Sequence, residues 1–149
     1  MMRKGEAALN ALLAALAPIA AEIDGGEVCR NPETELPVSE SERWKLVIRD
    51  GDTGEPEASL SPPTYEYQHE AALALTVVKA GKQDADTLFS SIVEKIGGRI
   101  AADATLGGKV DYAQLGGLNT DEVDQDVLSG FKAAILPVTL YYTTTSPLG

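Results

Sequence analysis

The chain has 149 residues, 44% of them hydrophobic, enough for one domain with its own core. Its formal net charge is −11 and its pI is about 4.4, which excludes a protein that grips nucleic acid by neutralising phosphates or adheres to an anionic membrane surface. The single cysteine, Cys29, excludes an internal disulfide and fits a reducing cytoplasm.

The spacing predicts a first helix over Arg3–Ala17, with apolar Ala7, Leu9, Leu12, Leu13 and Leu16 and small Ala11 and Ala14 between them. Arg3 and Lys4 before an apolar run resemble a signal peptide, but Glu6 and the amphipathic pattern favour a packed helix. Asn10 and Pro18 interrupt the run, so it falls short of the ~20 clean apolar residues of a membrane span. Pro18 ends or kinks the helix. Val28–Arg30 is a short strand leading into the turn signal Asn31-Pro32, and Glu33–Glu42 reads as a polar loop. Trp44–Arg49 is a strand with Trp44, Leu46 and Ile48 on one face, followed by a long turn over Asp50–Pro56.

Thr64–Ala80 is the segment around which the chain is organised. Its odd positions, Tyr65, Tyr67, His69, Ala71, Leu73, Leu75 and Val77, form one buried face of a strand. The even positions begin Glu66, Gln68, Glu70 and then turn small or apolar, which predicts cover on both sides of the C-terminal half. Fourteen extended residues span roughly 46 Å, against a radius of gyration of about 15 Å for one compact domain of this length. The strand is therefore expected to bend or to project as a hairpin or loop arm around residues 44–80. It is expected to pair antiparallel with Trp44–Arg49 across a loop of about fifteen residues.

A second helix is predicted from Asp86 to Ala104, capped by Asp84 or Asp86, with a stripe of Leu88, Phe89, Ile92, Val93, Ile96 and Ile100. Gly97-Gly98 marks close packing, a kink or an early end. Val110–Leu115 is a candidate strand with Val110, Tyr112 and Gln114 on one side; Gly116–Gln125 is an acidic loop. Phe131–Thr144 is the second long strand, and Pro137 within it argues for an edge or a bulge. Thr145–Gly149 is expected to be mobile unless a partner pins it. The order predicts one α+β domain over residues 1–149: a mostly antiparallel sheet of about four or five strands with two helices on one face.

Nothing in the chain has the spacing of a catalytic or metal site. His69, the one histidine, lies on an apolar face and reads as structural. Cys29 lacks a nucleophile motif and reads as a small apolar side chain. Asp50-Gly-Asp52-Thr-Gly54-Glu55 resembles the start of a calcium loop, but the sixth and twelfth positions are Glu55 and Ser61 instead of glycine and glutamate, so an acidic turn explains it better. Asp121, Glu122, Asp124 and Asp126 read as a solvated loop.

Three stretches read together resemble the phage tail terminator family, the lambda-type minor tail proteins. They are the N-terminal alanine-leucine helix; Arg49-Asp-Gly-Asp-Thr-Gly-Glu-Pro-Glu-Ala-Ser-Leu-Ser-Pro through Tyr65-Glu-Tyr-Gln-His69-Glu; and the ending Leu136-Pro-Val-Thr-Leu-Tyr-Tyr-Thr-Thr-Thr145-Ser-Pro-Leu148. The pattern is similar to terminators carried by prophages and siphovirus-like elements. The resemblance implies an α+β fold and a homohexameric ring in the virion neck, assembled in the bacterial cytoplasm. That ring caps the head-proximal end of the tail tube and presents a surface to the head-tail connector. It further implies no enzymatic activity, no cofactor and no membrane, with genome DNA passing through the lumen unbound. A head-tail adaptor or stopper is the alternative, and a small enzyme using His69 or Cys29 a more distant one. Ring contacts are expected in Asp50–Pro63, Thr120–Asp126 and Thr143–Gly149, with Asp50, Asp52, Glu55, Glu57, Tyr65, Tyr67, Asp121, Asp124, Tyr141 and Leu148 as interface candidates.

Overall fold

Alternation along residues 63–78 organises the molecule. In the computed structural model, which describes residues 3–23, 25–30, 43–60, 62–78, 82–117 and 131–145, nine elements follow one another. They are α1 (Lys4–Leu16), α2 (Ile19–Glu22), β1 (Gly26–Arg30), β2 (Trp44–Asp52), β3 (Glu57–Leu60), β4 (Pro63–Val78), α3 (Lys82–Ala102), β5 (Tyr112–Leu115) and β6 (Phe131–Thr144). The strands form one six-stranded sheet in the order β1-β2-β4-β6-β5, with β3 added to the start of β4. Only β1 and β2 run parallel; every other pair is antiparallel. This is the expected α+β architecture, with one strand more than anticipated and the long helices α1 and α3 on one face.

The odd positions of β4 are the reason for that face. Tyr67, His69, Ala71, Leu73, Leu75 and Val77 are all buried, in register with Trp44, Leu46 and Ile48 of β2 and with Leu136, Val138, Leu140 and Tyr142 of β6. Ala8, Leu9, Leu12 and Leu16 of α1 and Phe89, Ile92, Ile96 and Ile100 of α3 close over them. Each large aliphatic side chain withdrawn from water stabilises the fold by about 1.5–3 kcal/mol before entropy is counted. By length and composition Lys4–Glu22 is apolar enough to cross a membrane; here it is broken at Ala17-Pro18 and its apolar stripe lies in the core.

Several expectations are corrected. Neither the long turn at Asp50–Pro56 nor the loop of about fifteen residues between β2 and β4 is found as expected. β2 runs on to Asp52 through a bulge at Gly51, and Glu57–Leu60 forms a hairpin with the start of β4. The prolines mislead because Pro63 opens β4 opposite Leu60, where its missing N–H costs little. α3 begins at Lys82, so Asp84 and Asp86 lie inside it. Gly97-Gly98 neither ends nor tightens it, since a methyl at either position would meet nothing within 4 Å. β5 starts only at Tyr112, so Val110 turns into the core from the preceding bend while Tyr112 and Gln114 face outward.

Pro137 has a specific explanation. The Gly116 N–H donates to the Pro137 carbonyl at 2.8 Å, so the proline's amide side faces β5, away from β4. The pairing of β5 with β6 reaches only Leu115 opposite Val138. The missing donor therefore falls just past the end of β5, and the β4 ladder loses nothing. The expected loop at Glu33–Glu42 and the turn at Asn31-Pro32 lie outside the described residues.

No described helix packs on the opposite face, where Val47 is buried among half-buried neighbours. That face carries Lys45, Val47 and Arg49 of β2, Ala72, Ala74 and Thr76 of β4, and Ile135 and Pro137 of β6, in register across the sheet. Cover over this half of β4 was expected on both sides; within the described subunit Ala72, Ala74 and Thr76 are only half-buried.

Candidate functional site

The polar residues gather at the end of the sheet where β2 leaves β4. On the helix side, His69 is 2% exposed and both its ring nitrogens are engaged: Nε2 with the Asp50 carbonyl oxygen at 2.5 Å and Nδ1 with the Tyr142 hydroxyl at 3.2 Å. The carbonyl can only accept, so Nε2 carries the proton, and Nδ1 accepts from the tyrosine O–H. Burial pushes the Tyr142 phenol up from its ordinary value. A methyl on Gly5 of α1 would stand 2.6 Å from that hydroxyl, so the helix docks directly on it. Both sides of the imidazole are occupied by structural partners, as the reading of His69 as structural requires.

Beside it, Arg30 at the end of β1 ties three elements together. Its guanidinium donates to both Glu6 oxygens at 2.7 and 3.0 Å, to Asn10 Oδ1 at 3.0 Å, and to both Asp50 oxygens at 2.7 and 2.8 Å. The hydrogen bonds from Arg30 hold the Glu6 carboxyl below its ordinary value, and the two carboxylates raise the guanidinium above its own. Cys29, one residue earlier, pairs with Val47 and points to the opposite face of the sheet from His69, so the two cannot form a nucleophile–base pair. The Asp50–Glu55 turn uses its carboxylates locally: Asp50 on Arg30, and Asp52 Oδ1 on the Gly54 N–H at 2.9 Å. Among the described residues no three His, Cys, Asp or Glu side chains are grouped to hold a metal ion.

On the open side, a cleft of about 490 Å³ lies between the β3–β4 hairpin and the β5–β6 end. Glu55, Glu57, Glu66 and Asp111 rim it, and Tyr112 and Tyr141 stack at its side with ring centroids 4.3 Å apart and planes 11° from parallel. The neighbouring Tyr112 hydroxyl raises the Tyr141 phenol above its ordinary value. Glu57 and Glu66 stand directly opposite each other in the ladder, a like-charge pair that destabilises the hairpin it sits on. At the hairpin tip Leu60 is 85% exposed.

Of the interface candidates, Glu55, Glu57, Tyr67 and Tyr141 line this cleft, whereas Asp50 lies by His69 and Gly5, and Asp52 ends β2 beyond the bulge. Tyr65 is half-buried against the core, and Tyr67 is buried and stacked on Tyr142 at 5.4 Å, so its side chain is engaged inside the subunit. Asp121, Asp124 and Leu148, and the stretch Thr120–Asp126, lie outside the described residues. Sequence reasoning missed Glu66, Asp111, Tyr112, Leu60 and the Arg30 hub. The alternation of β4 does place Glu66 on the outer face; Arg30 had no signal, because its partners are 20 and 24 residues away.

No family model and no curated protein matches the chain. Among solved structures it is similar to the sheath/tube terminator, in the extended state, of an extracellular contractile injection system called PVC, determined by cryo-electron microscopy. The TM-score is 0.45 at 12% identity, over 93% of this chain and 56% of that one, so the chain spans little more than half the length of that protein.

Proposed function

We propose that the chain is a structural assembly protein: a tail terminator whose subunits form a ring on the head-proximal end of a phage-like tail tube, stop its polymerisation and offer the joining surface to the head-tail connector. The observation that carries this is the far end of the sheet. There a hairpin with an exposed leucine tip and an acidic outer side extends past β2, while the groups able to do chemistry, His69 and the Asp50 carboxylate, are held in structural bonds. The sequence resemblance adds the three stretches quoted above. The net charge of −11 fits a lumen from which DNA phosphates are repelled, so that a genome passes without sticking.

Co-assembly with tail-tube protein tests the reading. The chain should cap tubes, limit their length and appear by electron microscopy as a ring at one end, with a mass of about six times the 15.7 kDa monomer. Tubes that grow to the same lengths with and without it would refute the role. Binding to the connector alone would identify an adaptor or stopper instead.

A further inference from the structure

The face of the sheet away from the helices, over which no described element packs, is divided in two along its length. One half is apolar and basic. Val47, Ala74 and Ile135 make a row across β2, β4 and β6, continued by Cys29 of β1, with Ala72 and Pro137 in the next row. Lys45 and Arg49 flank this row, and Glu27 beside Lys45 is the one acidic neighbour in register. The other half is the acidic cleft with Glu57, Glu66 and Asp111 around the stacked Tyr112 and Tyr141, and exposed Gln68 and Glu70 between the halves.

From this division we infer that the open face is a contact between two copies of this chain, packed sheet on sheet about a two-fold axis. A two-fold operation lays the acidic half of each copy on the basic and apolar half of the other, so every complementary contact is made twice. Two sheets packed this way lie about 10 Å apart with their side chains interdigitated. The pairing explains the Glu57–Glu66 opposition, which is unfavourable in a lone subunit and is relieved when Lys45 and Arg49 of the second copy approach it. The same contact removes Ala74 and Ile135, half-buried in the lone subunit on either side of buried Val47, from water. A two-fold contact differs in kind from the head-to-tail contact that closes a ring, although it uses the acidic side of the same hairpin, and it is measured on the free chain without tube protein.

The test is a charge exchange read by sedimentation. The natural chain should dimerise reversibly with concentration, and its Cys29, on the covered face, should be alkylated more slowly as the dimer forms. The Lys45→Glu/Arg49→Glu variant removes the basic groups of one half, and Glu57→Lys/Glu66→Lys reverses the charge of the hairpin in the other, where Asp111 remains. Each alone should weaken self-association at least tenfold, and an equal mixture of the two should associate again. Glu57 and Glu66 are exposed, whereas Lys45 and Arg49 are half-buried on the outer face, so unchanged emission from Trp44 on the helix side, fully buried and the only tryptophan, is needed to check that each variant folds. Variants that dimerise like the natural chain, or a mixture that does not recover, would overturn the pairing. So would a natural chain that stays monomeric at every concentration, and if its Cys29 then resists alkylation, another occupant covers the face.

Discussion

Gly26→Ala is the most discriminating test of how β1 joins the sheet. A methyl placed on Gly26 would stand 1.8 Å from Trp44 Cε2, 2.0 Å from Cδ2 and 2.3 Å from Nε1. The strand backbone lies directly on the indole, and glycine is there because nothing larger fits. Trp44 is fully buried and the largest side chain of the core, so it has no room to retreat. Two relaxations are available. The indole can be pushed aside, which forces neighbours off their rotamers at about 1–3 kcal/mol, or it can leave the core, which approaches the 3–5 kcal/mol of deleting a buried aromatic. The expected loss is therefore about 3 kcal/mol, equivalent to roughly 6–12 °C in melting temperature for a domain of this size. Trp44 is the only tryptophan, so its emission reads the same event directly and should shift to the red. Trp44→Phe should be destabilising alone but should recover part of the Gly26→Ala loss when the two are combined, because the smaller ring vacates space the methyl needs. A Gly26→Ala protein that melts within 1 kcal/mol of the natural chain with unshifted emission would refute the close approach.

Other positions make separate predictions. Gly97→Ala and Gly98→Ala should each stabilise by about 0.5–1 kcal/mol in urea unfolding, since both lie in the interior of α3 with open space around them. Tyr142→Phe should cost about 1–2 kcal/mol by leaving His69 Nδ1 without its donor. Glu6 and Glu22 have carboxyls held below their ordinary value of 4.5, Glu6 by hydrogen bonds from Arg30 and Glu22 by those from Arg99 and then Lys95. Their contribution is complete above that value and is lost as pH falls through the lower folded-state values. Acid also relieves the repulsion of a net −11 chain, so the quantity to read is the difference between proteins: Glu6→Gln should lose less melting temperature than the natural chain on going from about pH 6 to pH 3.

The parts of the fold that were legible in the sequence are those set by periodicity. The two-residue alternation of β4 gave its buried face from Tyr67 to Val77, with Tyr65 half-buried, and the helical stripe from Leu88 to Ile100 gave the packing side of α3. Periodicity failed where a chain reversal is made by geometry instead of composition. β3 has four exposed residues and no apolar face, so nothing in its sequence marks it as a strand; its partner on β4 does. The interface candidates show the same division. Glu55 and Glu57 are singled out by charge and loop context and line the cleft, whereas Glu66, Asp111 and Tyr112 reach it only because β3, β4, β5 and β6 end together. The Arg30 hub needs α1, β1 and β2 assembled before its partners exist.

The bulge at Gly51 connects the core to the hairpin. β2 follows β4 in regular register to Arg49 opposite Ala72, then skips to Asp52 opposite Glu70. Gly51 sits at φ +68° and a methyl on it would lie 1.9 Å from the Glu70 carbonyl oxygen, a backbone atom that cannot swing away. Gly51→Ala therefore meets both left-handed strain, about 1–2 kcal/mol, and a clash relieved only if the end of β2 lifts from β4. Lifting breaks the Asp50 carbonyl bond to His69 and draws the Asp50 carboxylate from Arg30. The total should reach about 3 kcal/mol or more. Because Gly26 and Gly51 lie against opposite ends of β2, the two alanine variants should be told apart by different probes. Gly26→Ala should disturb Trp44, while Gly51→Ala should leave Trp44 emission unchanged and disturb the resonances of His69, the only histidine. A Gly51→Ala protein as stable as the natural chain, with the His69 Nε2 proton still protected from exchange, would show that the bulge does not hold the end of β2, and the placement of the β3–β4 hairpin beside it would then need another cause.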